Sequence, residues 1–117
     1  MRKVIFYLPI IMFTIYSSCT NEHGELSLTA NCVNLDSKYS SSIKPIIIST
    51  CVSSRCHDGG GIAPTNYMTY EGLMISVNLG TFKNRVLEIK DMPVNLSLSE
   101  LELQKISCWL NDGAKNN

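Results

Sequence analysis

The chain has 117 residues, which is enough for one small domain. Its 10 lysines and arginines balance 10 aspartates and glutamates, so the formal net charge is zero. Residues 1–18 hold two of the bases and no acid, so the remainder carries 8 bases and 10 acids, a formal charge of −2. A mildly acidic surface offers no basic footprint for nucleic acid and no polybasic face for anionic lipid. Nucleic-acid binding is therefore not expected.

Residues 1–18 have the pattern of a cleavable export signal. Arg2 and Lys3 precede an apolar run over residues 4–16 that is too short to span a bilayer permanently. The following Ile-Tyr-Ser-Ser-Cys at residues 15–19 resembles the lipobox of bacterial lipoproteins, although Tyr16 stands where an aliphatic residue is usual. The resemblance implies a lipid anchor on Cys19 and a place in the bacterial cell envelope, as a periplasmic or outer-membrane lipoprotein. An ordinary secretory signal is the alternative.

The remaining chain divides into a polar tether and a folded domain. Residues 19–38 are polar and lack periodic apolar positions, so they predict a tether from Cys19, in which His23 is expected to be solvated. The domain is expected over residues 39–117. Five cysteines in an exported chain of this size indicate an oxidising compartment. Cys32 and Cys108 are predicted to pair there, unless Cys108 is instead a small buried apolar residue of a helix.

The sequence allows two structures for the first predicted element and predicts a helix for the second. Over residues 42–50, a helix capped by Ser41 or Ser42 would place Pro45 in its first turn. Three consecutive isoleucines at residues 46–48 equally favour a buried strand. Residues 69–79 predict a helix, because apolar side chains recur there at spacings of three and four, although Gly72 weakens the pattern.

Two further helices are predicted towards the C-terminus. Residues 81–89 have a short helical pattern that ends before a loop at residues 91–93. Ser99 and Glu102 then form a capping box, with Leu98 and Leu103 placed to staple across it. Gly113 ends this last helix.

The sequence motif with potential cofactor ligands is Cys-Val-Ser-Ser-Arg-Cys-His at residues 51–57. Two thiols can add to two vinyl groups on one porphyrin edge, and an imidazole directly after the second thiol can reach iron from the same side. The usual spacing is C-x-x-C-H; here four residues separate the cysteines and must bulge outwards. A zinc site would need four ligands at paired spacings, and a simple disulfide between Cys51 and Cys56 would leave His57 without a role.

From residue 39 to residue 114 the sequence resembles small class I cytochrome c domains of bacterial envelope lipoproteins. The resemblance implies an all-α fold of three to four helices around one covalent haem. It rests on short motifs in the family's order: Ile-Lys-Pro-Ile at 43–46, the cysteine motif with Asp-Gly-Gly at 58–60, Ala-Pro at 63–64, Tyr70, Phe-Lys-Asn-Arg-Val at 82–86, Met-Pro at 92–93, Leu-Ser at 98–99 and Cys-Trp-Leu-Asn-Asp-Gly-Ala at 108–114.

The resemblance also implies the haem ligands. Cys51 and Cys56 would form the thioethers of one haem c, and His57 would be the proximal ligand of iron. Met92 would be the distal ligand; Met68 is the alternative in a neighbouring loop, while Met74 belongs to a packing stripe. A Met/His pair raises the reduction potential above that of two imidazoles.

Further contacts follow from the same resemblance. Pro64 would pack on the proximal side of the haem, and Arg85 would reach a propionate. The first and last helices would cross, with Trp109 and Leu110 in their contact. The apolar side chains expected to pack on the porphyrin are Ile46, Ile47, Leu73, Val86 and Leu103.

Together these features predict a c-type cytochrome that carries single electrons and is not an enzyme. Its partners would be a redox donor and a redox acceptor protein, with the membrane reached through the lipid anchor. The alternatives are a haem-binding accessory or sensor module, and a non-haem interaction domain stapled by disulfides.

Overall fold

The computed structural model describes residues 32–53 and 55–117. Across these ranges the chain is helical and has no strand, so the prediction of an all-α fold is confirmed. The predicted export segment, the predicted lipidation site Cys19 and His23 lie outside the described residues. None of the helices in the described ranges is both long and apolar enough to cross a membrane.

Helix α1 is one continuous helical run over residues 39–52. It consists of a π-helical turn Tyr39–Ile43, an α-helical part Lys44–Ile47 and a second π-helical turn Ile48–Val52. The strand alternative for this segment is therefore excluded. The widened first turn precedes Pro45, which has no N–H to donate and whose ring crowds the carbonyl four residues earlier in an α-helix.

The predicted start of α1 at Ser41 or Ser42 is wrong, because the helix begins at Tyr39. Asp36 supplies the polar group that organises this end instead. Its carboxylate accepts hydrogen bonds from the hydroxyls of Ser41, at 2.8 Å, and Ser42, at 2.9 Å. These bonds, together with one from the N–H of Lys38, hold the pKa of the Asp36 carboxyl below its ordinary value.

Helices α2 and α3 lie where the sequence predicts them. Helix α2 is Tyr70–Asn78, and the Thr69 side chain caps it by accepting a hydrogen bond from the N–H of Gly72. Helix α3 covers residues 81–88, as an α-helical turn Thr81–Lys83 followed by a π-helical turn Asn84–Glu88.

Helix α4, Glu100–Asn111, has both of its predicted ends. The capping box between Ser99 and Glu102 is complete. At the other end Gly113 adopts a left-handed backbone, with φ of 84°. The N–H of Gly113 donates to the carbonyl of Leu110, and that of Ala114 to the carbonyl of Trp109. These two bonds satisfy carbonyls that the helix end leaves open.

The first and last helices pack against each other, as predicted. Trp109 is 1% exposed, and its ring lies 5.9 Å from that of Tyr39, centroid to centroid. The C-terminal residues close over this contact, because the indole N–H of Trp109 donates to the carbonyl of Lys115 and the N–H of Tyr39 donates to the side chain of Asn117, each at 2.9 Å. The folded domain therefore includes the chain's last residues.

A disulfide bond joins Cys32 to Cys108, with the two Cα atoms 5.7 Å apart. Cys108 is both paired and buried in α4. The bond attaches residues 32–38, the last part of the predicted tether, to the helical domain.

Candidate functional site

A cavity of about 530 Å³ opens between the loop after α1, helices α2 and α3, and the loop after α3. Its volume lies in the range of small-molecule and cofactor sites. Its wall is formed by residues between Thr50 and Val94, up to 44 positions apart in the sequence. They include all six residues that the family resemblance assigns to haem: Cys51, Cys56, His57, Pro64, Arg85 and Met92.

The backbone of the cysteine motif turns back on itself. The N–H of His57 donates to the carbonyl of Cys51 at 3.2 Å, across the longer spacing between the cysteines. Arg55 takes a left-handed backbone with φ of 61° and is exposed, so this part of the loop bulges outwards. Cys51 and Cys56 consequently line the same cavity.

Cys51 presents a buried free thiol to this cavity. Burial is the main cause that raises the pKa of the Cys51 thiol above its ordinary value, whereas a hydrogen bond with the Thr50 hydroxyl lowers it and the electrostatic interaction with Cys56 raises it. At neutral pH the Cys51 sulfur is therefore protonated and is a weak nucleophile.

Contacts with Thr65 and Tyr67 orient the imidazole of His57. Its Nδ1 lies 3.0 Å from the carbonyl oxygen of Thr65. A carbonyl only accepts hydrogen bonds, so Nδ1 carries the proton and Nε2 carries the lone pair. The ring of Tyr67 covers one face of the imidazole, with the centroids 4.0 Å apart. Nε2 is therefore the ring nitrogen that can bind a metal ion.

Met92 is the methionine in the cavity wall among the described residues. Met68 is half-exposed and does not line the cavity. Met74 packs against the core, in agreement with its predicted role. The structure therefore brings Met92, and not Met68, to the same cavity as His57.

The backbone after α3 ties Met92 to Arg85. The carbonyl of Arg85 accepts hydrogen bonds from the N–H groups of Asp91, at 3.1 Å, and Met92, at 3.3 Å. The Arg85 side chain pairs with Asp91 through Nε, at 2.6 Å. Because Nε is occupied, the two terminal amino groups of the guanidinium are the donors that suit a ligand carboxylate.

The five side chains predicted to pack on the porphyrin do not all lie at the cavity. Val86 lines the cavity, whereas the other four side chains belong to the helical core. Helices α1 and α4 pack against each other, and Leu73 of α2 lies in the same core cluster. No residue of α4 lines the cavity. The four core residues are Ile46, Ile47, Leu73 and Leu103.

The cavity has an apolar rim. Ile62, Leu79 and Val94 all line it, yet each is more than half exposed. Covering such side chains with an apolar group is favourable by about 25 cal/mol for each Å² removed from water. The rim therefore favours a mainly apolar ligand over a polar one.

Sequence analysis did not identify three residues of the site, Thr65, Tyr67 and Ser76, because no pattern in the sequence indicates their role. Thr65 and Tyr67 lie in the loop between α1 and α2, which has no hydrophobic periodicity. Ser76 is a buried polar residue of α2. Their proximity to His57 depends on the path of that loop.

The zinc alternative finds no matching donor set here. Within residues 32–53 and 55–117, no group of three or more His, Cys, Asp or Glu side chains is arranged to hold a metal ion. A haem site does not need such a group, because the porphyrin supplies four donors. Comparison with known proteins gives no match to any family, curated protein or solved structure.

Proposed function

We propose that this protein is a c-type cytochrome with a cytochrome c-like fold, which holds one haem c and transfers single electrons between partner proteins. The observation that carries this proposal is the convergence of Cys51, Cys56, His57 and Met92 on one cavity. Two thiols can attach a haem covalently, and an imidazole with a thioether can complete six-coordinate iron.

The chemistry of the cavity wall fits this group. Each cysteine thiol would add across one vinyl C=C bond, with sulfur bonding to one carbon and hydrogen to the other, so that no oxidant is consumed. The Nε2 lone pair of His57 and the sulfur of Met92 would hold the iron. When bound, the haem supplies an iron that alternates between the ferric and ferrous states, and Met/His ligation favours the ferrous state.

The remaining lining residues suit the rest of the porphyrin. The apolar rim of Ile62, Leu79 and Val94 would cover the macrocycle and exclude water from it. The guanidinium of Arg85 would bind a propionate carboxylate, and Pro64 would pack on the His57 side. A protein donor and a protein acceptor are required, because the proposed role is to carry electrons without converting a substrate.

The anchor and location rest on the sequence of residues 1–19. We propose that Cys19 carries lipid and that residues 20–31 tether the domain to a membrane of the bacterial envelope. Labelling with a radioactive fatty acid tests this, because Cys19→Ala is expected to abolish the label. Retention of label in Cys19→Ala would remove the anchor from the proposal but leave the haem site intact.

The proposed cofactor is tested by producing the whole chain, with its export signal, in cells that have c-type maturation machinery. A pyridine haemochrome assay on denatured protein, together with the intact mass, is expected to show one covalently retained haem. Cys51→Ala combined with Cys56→Ala should lose it. The matched control, Cys32→Ala combined with Cys108→Ala, also removes two cysteines and should keep it.

Two outcomes would change the conclusion. A wild-type mass equal to the bare chain plus acyl groups would eliminate the cytochrome and leave a disulfide-stapled interaction domain. Covalent haem with a high-spin spectrum and no Met-to-iron charge-transfer band would indicate an open sixth position and favour the accessory or sensor role.

A further inference from the structure

A hydrogen-bonded chain runs from His57 to the buried face of α2. Nδ1 of His57 lies 3.0 Å from the carbonyl oxygen of Thr65 and 3.3 Å from the hydroxyl oxygen of the same residue. The hydroxyl of Ser76 donates to the Thr65 hydroxyl at 3.4 Å. Ser76 is only 5% exposed, and His57 and Thr65 are partly buried.

Donors and acceptors can be assigned consistently along this series of hydrogen bonds. Nδ1 is a donor, because the Thr65 carbonyl next to it can only accept. The Thr65 hydroxyl oxygen has two lone pairs, and it can accept from Ser76 and from His57 together. The Nδ1–H of His57 is therefore shared between two oxygen atoms of Thr65.

The surrounding backbone makes this arrangement rigid. The N–H of Tyr67 donates to the carbonyl of His57 at 2.8 Å, which closes a ring of bonds between residue 57 and residues 65–67. The donated hydrogen bond from Ser76 selects the Thr65 rotamer whose hydroxyl faces Nδ1. Ser76 consequently acts on His57 through Thr65, across two elements of the fold.

Sharing the Nδ1 proton has an electronic consequence at the opposite nitrogen. A stronger acceptor at Nδ1 draws the proton away from the ring and makes Nε2 a better electron donor. A better donor at Nε2 stabilises the ferric state more than the ferrous state. The Thr65 hydroxyl would therefore lower the reduction potential of a haem held by His57.

We propose that the hydroxyls of Thr65 and Ser76 position the Nδ1 proton of His57, which the Thr65 hydroxyl shares with the Thr65 carbonyl, and that they lower the reduction potential of the site. This inference rests on the proposed cytochrome function for the potential. It does not depend on that function for the sharing of the Nδ1 proton, which is a property of the polypeptide without cofactor.

The test uses two isosteric or near-isosteric variants and two controls. Thr65→Val removes the hydroxyl but keeps the carbonyl, and Ser76→Ala removes the donor to Thr65. Thr65→Ser restores a hydroxyl at the same position. Ser107→Ala removes another buried serine hydroxyl, in α4, at a position that does not line the cavity.

The first measurement is ¹⁵N NMR of the imidazole in the full chain without cofactor. Wild type is expected to show the Nδ1–H tautomer with slow exchange of that proton with solvent. Exchange should become faster in Thr65→Val and Ser76→Ala, and should stay as in wild type in Thr65→Ser and Ser107→Ala. Equal exchange in all five proteins, or a wild-type Nε2–H tautomer, would overturn the proposal.

The second measurement is redox titration of the mature protein. Thr65→Val is expected to raise the reduction potential, Ser76→Ala to raise it less, and Thr65→Ser and Ser107→Ala to match wild type. A potential that does not change in Thr65→Val, or that rises equally in Ser107→Ala, counts against the proposal. If wild type takes up no haem, the proposed function fails, and the NMR measurement alone decides the role of Thr65 and Ser76.

Discussion

The aromatic ring of Tyr67 lies parallel to the imidazole of His57, with 1° between the planes and 4.0 Å between the centroids. Tyr67 also meets Phe82 of α3 edge-on, at 6.1 Å. It therefore connects the imidazole to the helical core, and its contact covers a face of the ring and not the Nε2 edge. A metal ion approaches imidazole nitrogen in the ring plane, so stacking and ligation are compatible.

This relationship predicts that Tyr67→Leu destabilises the domain. The variant loses two aromatic contacts and leaves unfilled volume in a buried position, so we expect a loss of roughly 2–3 kcal/mol in the free energy of unfolding. Tyr67→Phe keeps both ring contacts and should lie within about 1 kcal/mol of wild type. Urea unfolding measures both. Equal urea midpoints for the Leu and Phe variants would contradict a structural role for the ring.

A second prediction concerns Gly72 in α2. A Cβ atom at this position would lie 1.7 Å from the carbonyl oxygen of Asn66, which is a backbone atom. Alanine is the better helix former by about 1 kcal/mol, but the clash would displace the loop that carries Thr65 and Tyr67. We expect Gly72→Ala to lose more than about 2 kcal/mol of stability.

The control for this prediction is Asn78→Ala, at an exposed position of the same helix. It changes helix propensity without the clash, so it should leave stability unchanged or slightly higher. If thermal unfolding shows Gly72→Ala to be as stable as Asn78→Ala, the close approach of Asn66 is not present in solution.

A third prediction concerns the pH dependence of the α4 cap. The carboxylate of Glu102 accepts hydrogen bonds from the hydroxyl of Ser99, at 2.7 Å, and from its N–H, at 2.8 Å. These bonds lower the pKa of the Glu102 carboxyl below 4.5. Because the folded pKa is below the unfolded one, the cap contributes fully above about pH 4.5 and loses its contribution as the pH falls through the folded pKa.

The measurement is the difference in unfolding free energy between wild type and Glu102→Gln from pH 7 to pH 3. We expect about 1 kcal/mol at pH 7 and a decline towards zero in the acidic part of the range. Glu100→Gln removes a charge from the same helical turn but leaves both capping bonds, so it should show the smaller pH dependence. A difference that grows on acidification would reverse the assigned sign.

A fourth prediction concerns the Cys32–Cys108 disulfide. The bond spans 76 positions of the chain, and closing a loop of that length stabilises a fold by about 4 kcal/mol in the chain-entropy treatment. Adding dithiothreitol should therefore lower the stability of wild type by about this amount. The variant that combines Cys32→Ala with Cys108→Ala should not respond to the reductant. An equal response in both proteins would show that the bond does not form.

The fifth prediction concerns the sixth ligand. Met92→Leu conserves volume but removes the sulfur from the cavity wall, so the mature protein should lose its Met-to-iron charge-transfer band. Met68→Leu makes the same change at a half-exposed position outside the cavity and should keep the band. Near-infrared absorption of the ferric protein measures this. Loss of the band in Met68→Leu alone would transfer the ligand role to Met68.

Local patterns were sufficient for most of the helices. The capping box at Ser99 and the glycine after α4 act within one turn of chain, so they could be read directly. The start of α1 could not, because it depends on Asp36, which reaches across several residues to Ser41 and Ser42. The isoleucine run suits a helix or a strand, and only its packing in the helical core selects the helix.

The sequence likewise predicted one part of the candidate site, and the tertiary structure was needed for the rest. The sequence by itself determined the cysteine spacing and the adjacent His57, because the chemistry of that motif lies within seven consecutive residues. Only the tertiary structure brought Arg85 and Met92 to the same cavity and set Thr65 and Tyr67 against the imidazole. Contacts of that kind depend on how the loops close in space, which hydrophobic periodicity does not encode.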